Sequence, residues 1–166
     1  MLTSSTEGWA TLDPGQHACG VSLWRGPELV RAGAVRRPDA VDREGPGMWA
    51  AMAVLVELWL AGSGVERLVV ETMKQYAGTG RARPEDLLEL AGVAGAVVGR
   101  LAIPAVGAKA AEWNGQVPSA IRRARTQAWV TERGWSDRVN LNTTARFQQD
   151  VWSAIGIGRW WSTGRR

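Results

Sequence analysis

The sequence predicts an α/β fold: a mixed five-stranded sheet, with an antiparallel meander followed by parallel strands, flanked by helices. Three observations predict it. Short runs of strand-forming residues separated by tight turns open the chain. A longer apolar segment at 48–62 is followed by a short apolar run at 66–73, and helix-like and strand-like segments then alternate to the C-terminus. A meander that leads into such alternation is typical of a mixed sheet with helices packed on it.

The opening meander contains three predicted strands, at 9–13, 18–24 and 29–35. The first turn is Asp-Pro-Gly at 13–15, where aspartate favours the first position and proline fixes φ at the second. The second turn, Arg-Gly-Pro-Glu at 25–28, is equally short, so consecutive strands are expected to pair antiparallel. Residues 1–8 are mostly small and polar, and we expect them to fray.

The rest of the chain alternates between helix and strand. Segment 48–62 is apolar nearly all round and is predicted to be a buried helix. Leu-Val-Val flanked by acids, within 66–73, is predicted to be a buried central strand with parallel neighbours. Further elements are expected at 87–101 (a helix started by Pro84), 102–108 (a short strand), 118–133 and 145–158 (helices), with Thr143 or Thr144 capping the last one.

Composition limits the class of protein. The 166 residues fit one domain, 1–166. The single cysteine, Cys19, excludes an internal disulfide and favours a reducing compartment. There is no basic-then-apolar leader, and the longest apolar run is short and contains Glu57, so neither a signal peptide nor a membrane span is expected. The net charge of +4 is modest evidence for a polyanionic partner. Ten tryptophans add large apolar side chains, some of which can stack on a partner.

Three acids lie beside segments that are predicted to be core. Asp13 ends the first strand, Glu71 ends the central strand, and Asp150 lies on the last helix. If the first and fourth strands are neighbours, Asp13 and Glu71 lie side by side and the last helix brings Asp150 to them. Converging carboxylates repel one another, and a hard cation such as Mg²⁺ removes that repulsion. Two such ions about 4 Å apart would clamp the attacking and leaving oxygens of a phosphodiester. Each acid alone is an ordinary turn or surface residue, and only the ordered set indicates a site.

Five stretches extend this pattern: LDPGQHACGVSLW, LVVETM, LLELAGVAGAVVG, EWNGQVPSAIRRAR and DVWSAIGIG. Together they resemble the RuvC-like Holliday junction resolvases of the RNase H-like superfamily, particularly the compact phage and plasmid type. The resemblance spans nearly the whole chain and implies an RNase H-like fold. It also implies an Asp on the first strand, a Glu on the fourth and two acids three residues apart on the last helix. Asp13, Glu71 and Asp150 match the first three as catalytic residues and metal ligands. Gly156 and Gly158 are expected to let the last helix approach the sheet closely.

Ser153 occupies the position where the resemblance implies the fourth acid. Residues three apart share a helix face, so its hydroxyl is expected to point into the same site. Serine removes one negative charge and ligates at most through a water, so we expect weaker binding of at least one metal and reduced activity. His17, the only histidine, is expected to be an exposed turn residue, with assistance to proton transfer as the alternative.

Basic residues that follow the acids predict a nucleic-acid surface. The candidates are Lys74, Tyr76, Arg81 and Arg83 in the glycine-rich loop after the central strand, Lys109, and Arg122, Arg123 and Arg125 on the helix at 118–133. The cations are expected to contact phosphates, and Tyr76 to stack on or wedge between bases. The resemblance implies lysines near Asn114 and Ser119, so positive charge has moved onto arginines here.

The resemblance implies a metal-dependent, structure-selective endonuclease that resolves four-way and other branched DNA with Mg²⁺ or Mn²⁺, as two ions. It also implies a homodimer, with an interface on helix 85–101 or, alternatively, 48–61, and a location in the cytoplasm of a bacterial cell or phage-infected host. Two other functions stay open: a catalytically weakened relative that binds branched DNA, favoured by Ser153, and a nuclease of the same superfamily acting on RNA–DNA hybrids or single strands.

Overall fold

The computed structural model describes residues 7–72, 83–115 and 117–164, and a five-stranded sheet forms its centre. The strands are β1 (Gly8–Asp13), β2 (Ala18–Arg25), β3 (Glu28–Arg36), β4 (Val65–Thr72) and β5 (Ala105–Lys109). Their order in the sheet is β3-β2-β1-β4-β5. The first three strands pair antiparallel, and β4 runs parallel to both β1 and β5. The predicted mixed sheet, with an antiparallel meander and then parallel strands, is therefore confirmed.

The helices are α1 (Gly45–Leu60), α2 (Pro84–Leu101), α3 (Ala110–Trp113), α4 (Ser119–Glu132) and α5 (Ala145–Ser162), with a 3₁₀ turn at Ser136–Arg138. The four long helices were predicted, and α3 and the 3₁₀ turn were not. Helix α1 begins three residues before the predicted start because Pro46 fits the first helical turn, where its missing N–H costs nothing. Helix α5 continues past Gly158 to Ser162. Thr144 occupies its N-cap position as predicted, but its side chain makes no capping hydrogen bond.

Helices cover both faces of the sheet. Helices α1 and α2 pack over one apolar cluster, which includes Leu12, Val21 and Val70 from the strands. Helices α4 and α5 pack over a second cluster on the other face. The expectation that α1 is buried nearly all round was wrong, since Leu58 on this helix is 64% exposed. Helix α1 lies in an outer layer, where only the face toward the sheet and α2 is covered.

Tryptophans build much of the second cluster. The rings of Trp9 and Trp24 stack with centroids 5.1 Å apart. Trp135 meets Trp24 edge to face at 6.3 Å and Trp129 at 5.2 Å. Such offset and edge-to-face geometries add to the stabilisation that burial of the rings already gives. These four indoles therefore serve the core, which accounts for a large part of the unusual tryptophan content.

No helix within the described ranges is both long enough and apolar enough to cross a bilayer. Residue 8, expected to fray with the N-terminal segment, is paired with Arg25 on β2 and Val65 on β4 instead.

Candidate active site

The strand register places Asp13 beside Glu71. Strands β1 and β4 are parallel neighbours with Leu12 opposite Val70, so the next residue of each strand is an acid. Both acids lie at the carboxyl ends of their strands, where the sheet presents one edge. Glu71 is only 7% exposed. The side-by-side placement expected from the sequence is what the structure shows.

Gly20 on β2 lets helix α5 bring Asp150 to the same edge. Gly20 lies opposite Asp13 in the strand register. A Cβ atom built on Gly20 would lie 1.9 Å from the backbone oxygen of Asp150 and 2.4 Å from its carbonyl carbon. No side chain fits there, so the helix backbone rests directly on the strand. Gly20 was not predicted to be a site residue, because its pairing with Asp13 spans residues 14–19 and a two-residue turn would have given another register.

A buried chain of hydrogen bonds holds α5 at this position. The hydroxyl of Thr11 donates to the backbone oxygen of Ala154 at 2.7 Å, and Ser22 lies 3.2 Å from the same oxygen. The indole Nε1 of Trp24 donates to Ser22 Oγ at 2.7 Å. All three side chains are fully buried, so each bond forms away from competing water. The helix is thereby fixed in height and rotation one turn after Asp150.

The predicted glycines of α5 have different neighbours. A Cβ on Gly158 would lie 2.3 Å from the indole of Trp24 on β2, so Gly158 permits close approach to the sheet as expected. The same expectation was wrong for Gly156. A Cβ there would lie 2.9 Å from the ring of Trp113, which belongs to α3. Gly156 therefore makes room for a side chain of the site rather than for the sheet.

The three carboxyl groups interact electrostatically. Burial, the charge of Glu71, a hydrogen bond with Glu71 and the charge of Asp150 raise the pKa of Asp13 well above its ordinary value. Burial raises the pKa of Asp150 to about 6, with Arg146 lowering it and Glu71 raising it. Both shifts disfavour the charged form, as expected when like charges share a poorly hydrated site. Asp13 and Asp150 therefore bind protons more readily than exposed carboxylates do, and a cation would compete with those protons.

Ser153 faces this cluster. A hydrogen bond with its hydroxyl lowers the pKa of Asp13, against the larger effects that raise it. Gln149 Nε2 lies 3.5 Å from Ser153 Oγ, at the outer limit for donation to it. The side chain expected to replace the fourth acid thus contacts Asp13 and stabilises its carboxylate by hydrogen bonding instead of adding a charge.

Trp113 is a site residue that the sequence analysis did not single out. Its indole Nε1 donates to Glu71 Oε1 at 3.0 Å. The guanidinium carbon of Arg122 lies 5.0 Å from the centre of the Trp113 ring, a cation–π contact. Trp113 is thus held between Arg122 and Gly156 and fixes one oxygen of the buried carboxylate. Trp113 belongs to the stretch EWNGQVPSAIRRAR, but no periodicity in that stretch predicted α3.

A cavity of about 310 Å³ opens over Asp13 and Asp150. The β1–β2 turn, the start of α2 and the start of α5 form its walls, which include His17, Asp86 and Arg146. Arg146 precedes Asp150 by one helical turn, and this i, i+4 spacing was the signal that could have indicated it. The cavity gives a ligand access to two of the three acids.

His17 is half-buried in that cavity wall, so the prediction of an exposed turn residue was wrong. Its backbone oxygen accepts from the Arg37 N–H at 2.9 Å, which ties the turn to the end of β3. Burial lowers the pKa of His17, and the charges of Arg146, Arg37 and Arg43 lower it further. The imidazole is therefore held neutral near the acids, beside a group of arginines.

The predicted nucleic-acid residues fall into two groups. Lys74, Tyr76 and Arg81 lie in 73–82, outside the described residues. Arg83 is exposed immediately before α2.

The second group lies at the end of β5 and on α4. Lys109 ends β5, and its Nζ is 3.0 Å from Glu112 Oε1. On α4, Arg122 and Arg123 are half-buried and Arg125 is exposed. Arg123 lines a small pocket that also contains Ser153, whereas Arg125 faces a larger cavity further along α5. Positive side chains thus continue away from the acid cluster along one face.

The three acids resemble an open magnesium site more than a closed metal cage. Within 7–72, 83–115 and 117–164, no group of three or more His, Cys, Asp or Glu side chains is arranged to hold a metal ion by itself. Asp13 and Glu71 are hydrogen-bonded to each other, and Asp150 acts on both through its charge. Mg²⁺ in proteins is often bound by one or two carboxylates, with waters and substrate phosphates completing its shell. An acid pair with a third acid close by fits this partial coordination by protein better than a site with protein ligands on all sides would.

No protein-family model and no curated protein matches the chain. Solved structures do. Thermus thermophilus RuvC in complex with a Holliday junction substrate superposes with a TM-score of 0.61 at 14% identity, covering 93% of this chain and 91% of that chain. The chain has the fold of the RuvC-type Holliday junction resolvases. Another Thermus thermophilus RuvC structure gives a TM-score of 0.58 at 15% identity, covering 92% of each chain. The yeast mitochondrial Holliday junction resolvase Ydc2 gives 0.62 at 10% identity, covering 99% of this chain and 81% of that chain.

Replacing Gly20 tests whether α5 must touch β2 to form the site. Gly20→Ala is expected to destabilise the protein by about 1–3 kcal/mol, the usual cost of overpacking, because the new methyl group collides with backbone. The midpoint of thermal unfolding should fall, and Asp150 should move away from Asp13. Gly33→Ala on the neighbouring strand is the control, since a Cβ there meets Trp59 at an ordinary 3.6 Å. Equal melting temperatures for the two variants would contradict the close contact at Gly20.

Proposed function

We propose that this chain is a metal-dependent endonuclease that hydrolyses phosphodiester bonds in branched DNA, with the four-way junction as its substrate. The observation that carries the proposal is the convergence of Asp13, Glu71 and Asp150 at one edge of a RuvC-type sheet. The raised pKa values of Asp13 and Asp150 support it, because mutually repelling buried carboxylates destabilise a metal-free fold and such clusters are typical of functional sites. The RuvC-type fold supports the choice of branched DNA as substrate.

Asp13 and Glu71 would hold the cation, and Asp150 would be the third carboxylate beside it. When bound, Mg²⁺ or Mn²⁺ supplies an activated water and offsets negative charge on the phosphate. Trp113 keeps one oxygen of Glu71 occupied through its 3.0 Å hydrogen bond, so the carboxylate has a fixed orientation. Gly20 and the Thr11–Ser22 hydrogen bonds keep Asp150 in range. These residues orient and preorganise the site, which is how a buried cluster avoids reorganisation during reaction.

Cations near the acids would hold the DNA backbone. Arg146 lines the cavity over Asp13 and Asp150, and Arg123 lines the small pocket that contains Ser153. Phosphates next to the scissile one can contact both, which would place the bond to be cut over Asp13. Arg83 and the basic residues of 73–82 would extend this surface. Binding that relies on such contacts should weaken steeply as salt is raised.

A second candidate function is binding of branched DNA without efficient cleavage. Ser153 favours it, because the hydroxyl replaces a charge at the position where the resemblance implies a fourth acid. A site with one fewer carboxylate should bind cations less tightly, since ligand charge sets affinity for hard ions. The retained acids favour the nuclease, because a binding protein gains nothing from mutually repelling buried carboxylates.

The test uses a labelled four-way junction with Mg²⁺ or Mn²⁺, and a linear duplex of the same sequence as control. Symmetric cuts near the branch point, absent from the duplex and in EDTA, are expected. Tight junction binding without cuts in either metal would favour the second candidate. Equal binding to the junction and the duplex would contradict both.

We also propose that the chain acts as a homodimer, because a four-way junction presents two equivalent strands related by a two-fold axis. Leu88 on α2 is 63% exposed and Leu58 on α1 is 64% exposed, which supports an interface on this helical layer. We favour α2 as its centre. The layer lies on the opposite face of the sheet from α4 and α5.

A further inference from the structure

A cavity of about 670 Å³ lies along α5, beyond Trp113 as seen from the acid cluster. Three arginines line it, one from α5 and two from α4: Arg159, Arg122 and Arg125. Glu112 is an acid in the wall, and its carboxylate is 3.0 Å from Lys109 Nζ, which offsets its charge. The cavity is therefore positive and lies within the usual volume range of ligand sites.

The arginines are held in place by the fold. Arg122 stacks on Trp113, as described above. Arg159 has its guanidinium carbon 5.3 Å from the centre of the Trp129 ring, and its Nη1 donates to the backbone oxygen of Arg125 at 3.3 Å. Cations that are already ordered lose less entropy when an anion binds. Trp160, half-buried, adds an aromatic wall to the same cavity.

A small pocket of about 10 Å³ adjoins this cavity and reaches Ser153 of the candidate active site. Trp113, Arg122 and Thr126 line both spaces, and the small pocket continues to Arg123 and Ser153. Trp152 also lines it and is only 7% exposed. Its indole Nε1 is buried without a hydrogen-bond acceptor among the residues that the structure describes. Since buried N–H groups nearly always have an acceptor, this donor supports an oxygen of a ligand or of a water beside the pocket.

We infer that the adjoining spaces from Ser153 to Arg159 form a strand groove that binds the unpaired nucleotides of a DNA strand whose phosphate lies at Asp13. Ordered cations beside aromatic rings are the usual means of holding single strands, in which phosphates pair with arginines and bases stack on rings or guanidinium planes. A duplex keeps its bases stacked inside and presents no base face to Trp160. The concave, aromatic-walled strand groove thus fits an unpaired strand better than a double helix.

The inference rests on the proposed function for the identity of the strand, since a junction supplies unpaired nucleotides next to the bond that is cut. It also gives Trp113 a second role. This side chain is a wall of the strand groove and a donor to Glu71, so a strand in the groove contacts the residue that orients the buried carboxylate.

The test measures anisotropy of fluorescein-labelled hexathymidylate in EDTA, so that no metal site contributes. The wild type should bind, Trp160→Ala should weaken binding about tenfold, and Trp160→Phe should retain it, because one stacked base contributes roughly 1–3 kcal/mol. Arg125→Ala should also weaken binding and lower the salt dependence by about 0.7, the single-strand value for one phosphate contact.

Arg25→Ala is the matched charge control, because Arg25 is exposed at the far end of β2, opposite Gly8 rather than Asp13. Equal weakening by Arg25→Ala and Arg125→Ala would overturn the strand groove, as would tighter binding of an equally short duplex or of hexauridylate. A wild type that cuts junctions but does not bind hexathymidylate would overturn the groove alone. Groove-dependent hexathymidylate binding without junction cleavage would overturn the proposed function and leave the groove as a single-strand site. Circular dichroism spectra must match the wild type for every variant compared.

Discussion

Asp13→Asn is expected to abolish junction cleavage and, at the same time, to raise the melting temperature of the metal-free protein. Groups that only orient a metal ligand cost 10–100-fold when removed, so loss of a direct ligand should cost more than about 100-fold in rate. Stability should change in the other direction. Asparagine keeps the size of the side chain and removes a charge that burial, Glu71 and Asp150 all disfavour. A gain of about 1 kcal/mol would raise the melting temperature by roughly 2–4 °C for a chain of this length.

The measurement pairs a cleavage time course with thermal unfolding in EDTA and in Mg²⁺ or Mn²⁺. Metal should stabilise the wild type, by mass action on the folded state, and should stabilise Asp13→Asn much less. Asp137→Asn, at an exposed aspartate of the 3₁₀ turn, is the matched control and should change neither property. If Asp13→Asn cuts at a rate within a few-fold of the wild type, or melts at a lower temperature than the wild type in EDTA, Asp13 is not a metal ligand held among repelling acids.

The pH dependence of stability gives the same variant a second test. Asp13 and Asp150 have raised pKa values in the folded protein, that of Asp150 being about 6, so the folded state binds more protons than the unfolded chain above about pH 4. These two groups therefore make the metal-free protein less stable as pH rises from about 4 through 6. His17 acts oppositely, because its lowered pKa costs stability as pH falls below about 6.5. Subtracting the unfolding free energy of the wild type from that of Asp13→Asn at each pH cancels the contribution of His17, which both proteins share. The remaining difference reports Asp13, and the stability advantage of Asp13→Asn should grow with pH.

Much of the fold followed from local signals in the sequence. Short turns at 13–15 and 25–28 leave antiparallel pairing as the only economical arrangement of the first three strands. The buried apolar run in β4 predicted parallel neighbours for this strand. The alignment of Asp13 with Glu71 followed because both residues lie at the carboxyl ends of their strands. The RuvC-type fold is confirmed by the structure neighbours, whereas the roles of the acids stay predictions.

Other features depend on contacts that no periodicity encodes. Whether α1 is covered on all sides depends on which layer it joins, and an apolar sequence alone does not decide it. His17 is half-buried because α5 returns to the β1–β2 turn from 129 residues further along the chain with Arg146. Trp113 reaches Glu71 from a single helical turn, too short to leave a pattern. Gly20 supports Asp150 only because a helix lies on that strand. These features depend on contacts between residues far apart in the sequence. Most of them lie around the acids, where the requirements of a functional site override local sequence preferences.

Ser153→Asp is expected to increase cation affinity and cleavage while destabilising the metal-free protein. A fourth carboxylate on the same helix face adds negative charge to a cluster in which the charged forms of Asp13 and Asp150 are already disfavoured. It also removes the hydroxyl whose hydrogen bond lowers the pKa of Asp13, so that pKa should rise further. Without metal, the melting temperature should therefore fall below that of the wild type. With metal, the added ligand should raise affinity by more than about 10-fold, since groups that only orient a ligand already contribute 10–100-fold.

Ser153→Asn is the matched control, since asparagine is polar and about as large as aspartate but carries no charge. Titration calorimetry with Mn²⁺ in the absence of DNA measures affinity and stoichiometry independently of cleavage. If Ser153→Asp binds Mn²⁺ more tightly than both the wild type and Ser153→Asn, and cuts junctions faster, the serine limits a nuclease that is otherwise complete. If it binds more tightly but still does not cut, the chain is a binding protein for reasons that lie elsewhere in the site. If its affinity is unchanged or lower, the hydroxyl between Asp13 and Gln149 is a working part of the site and not a lost acid. The charge at this one position therefore separates the two candidate functions.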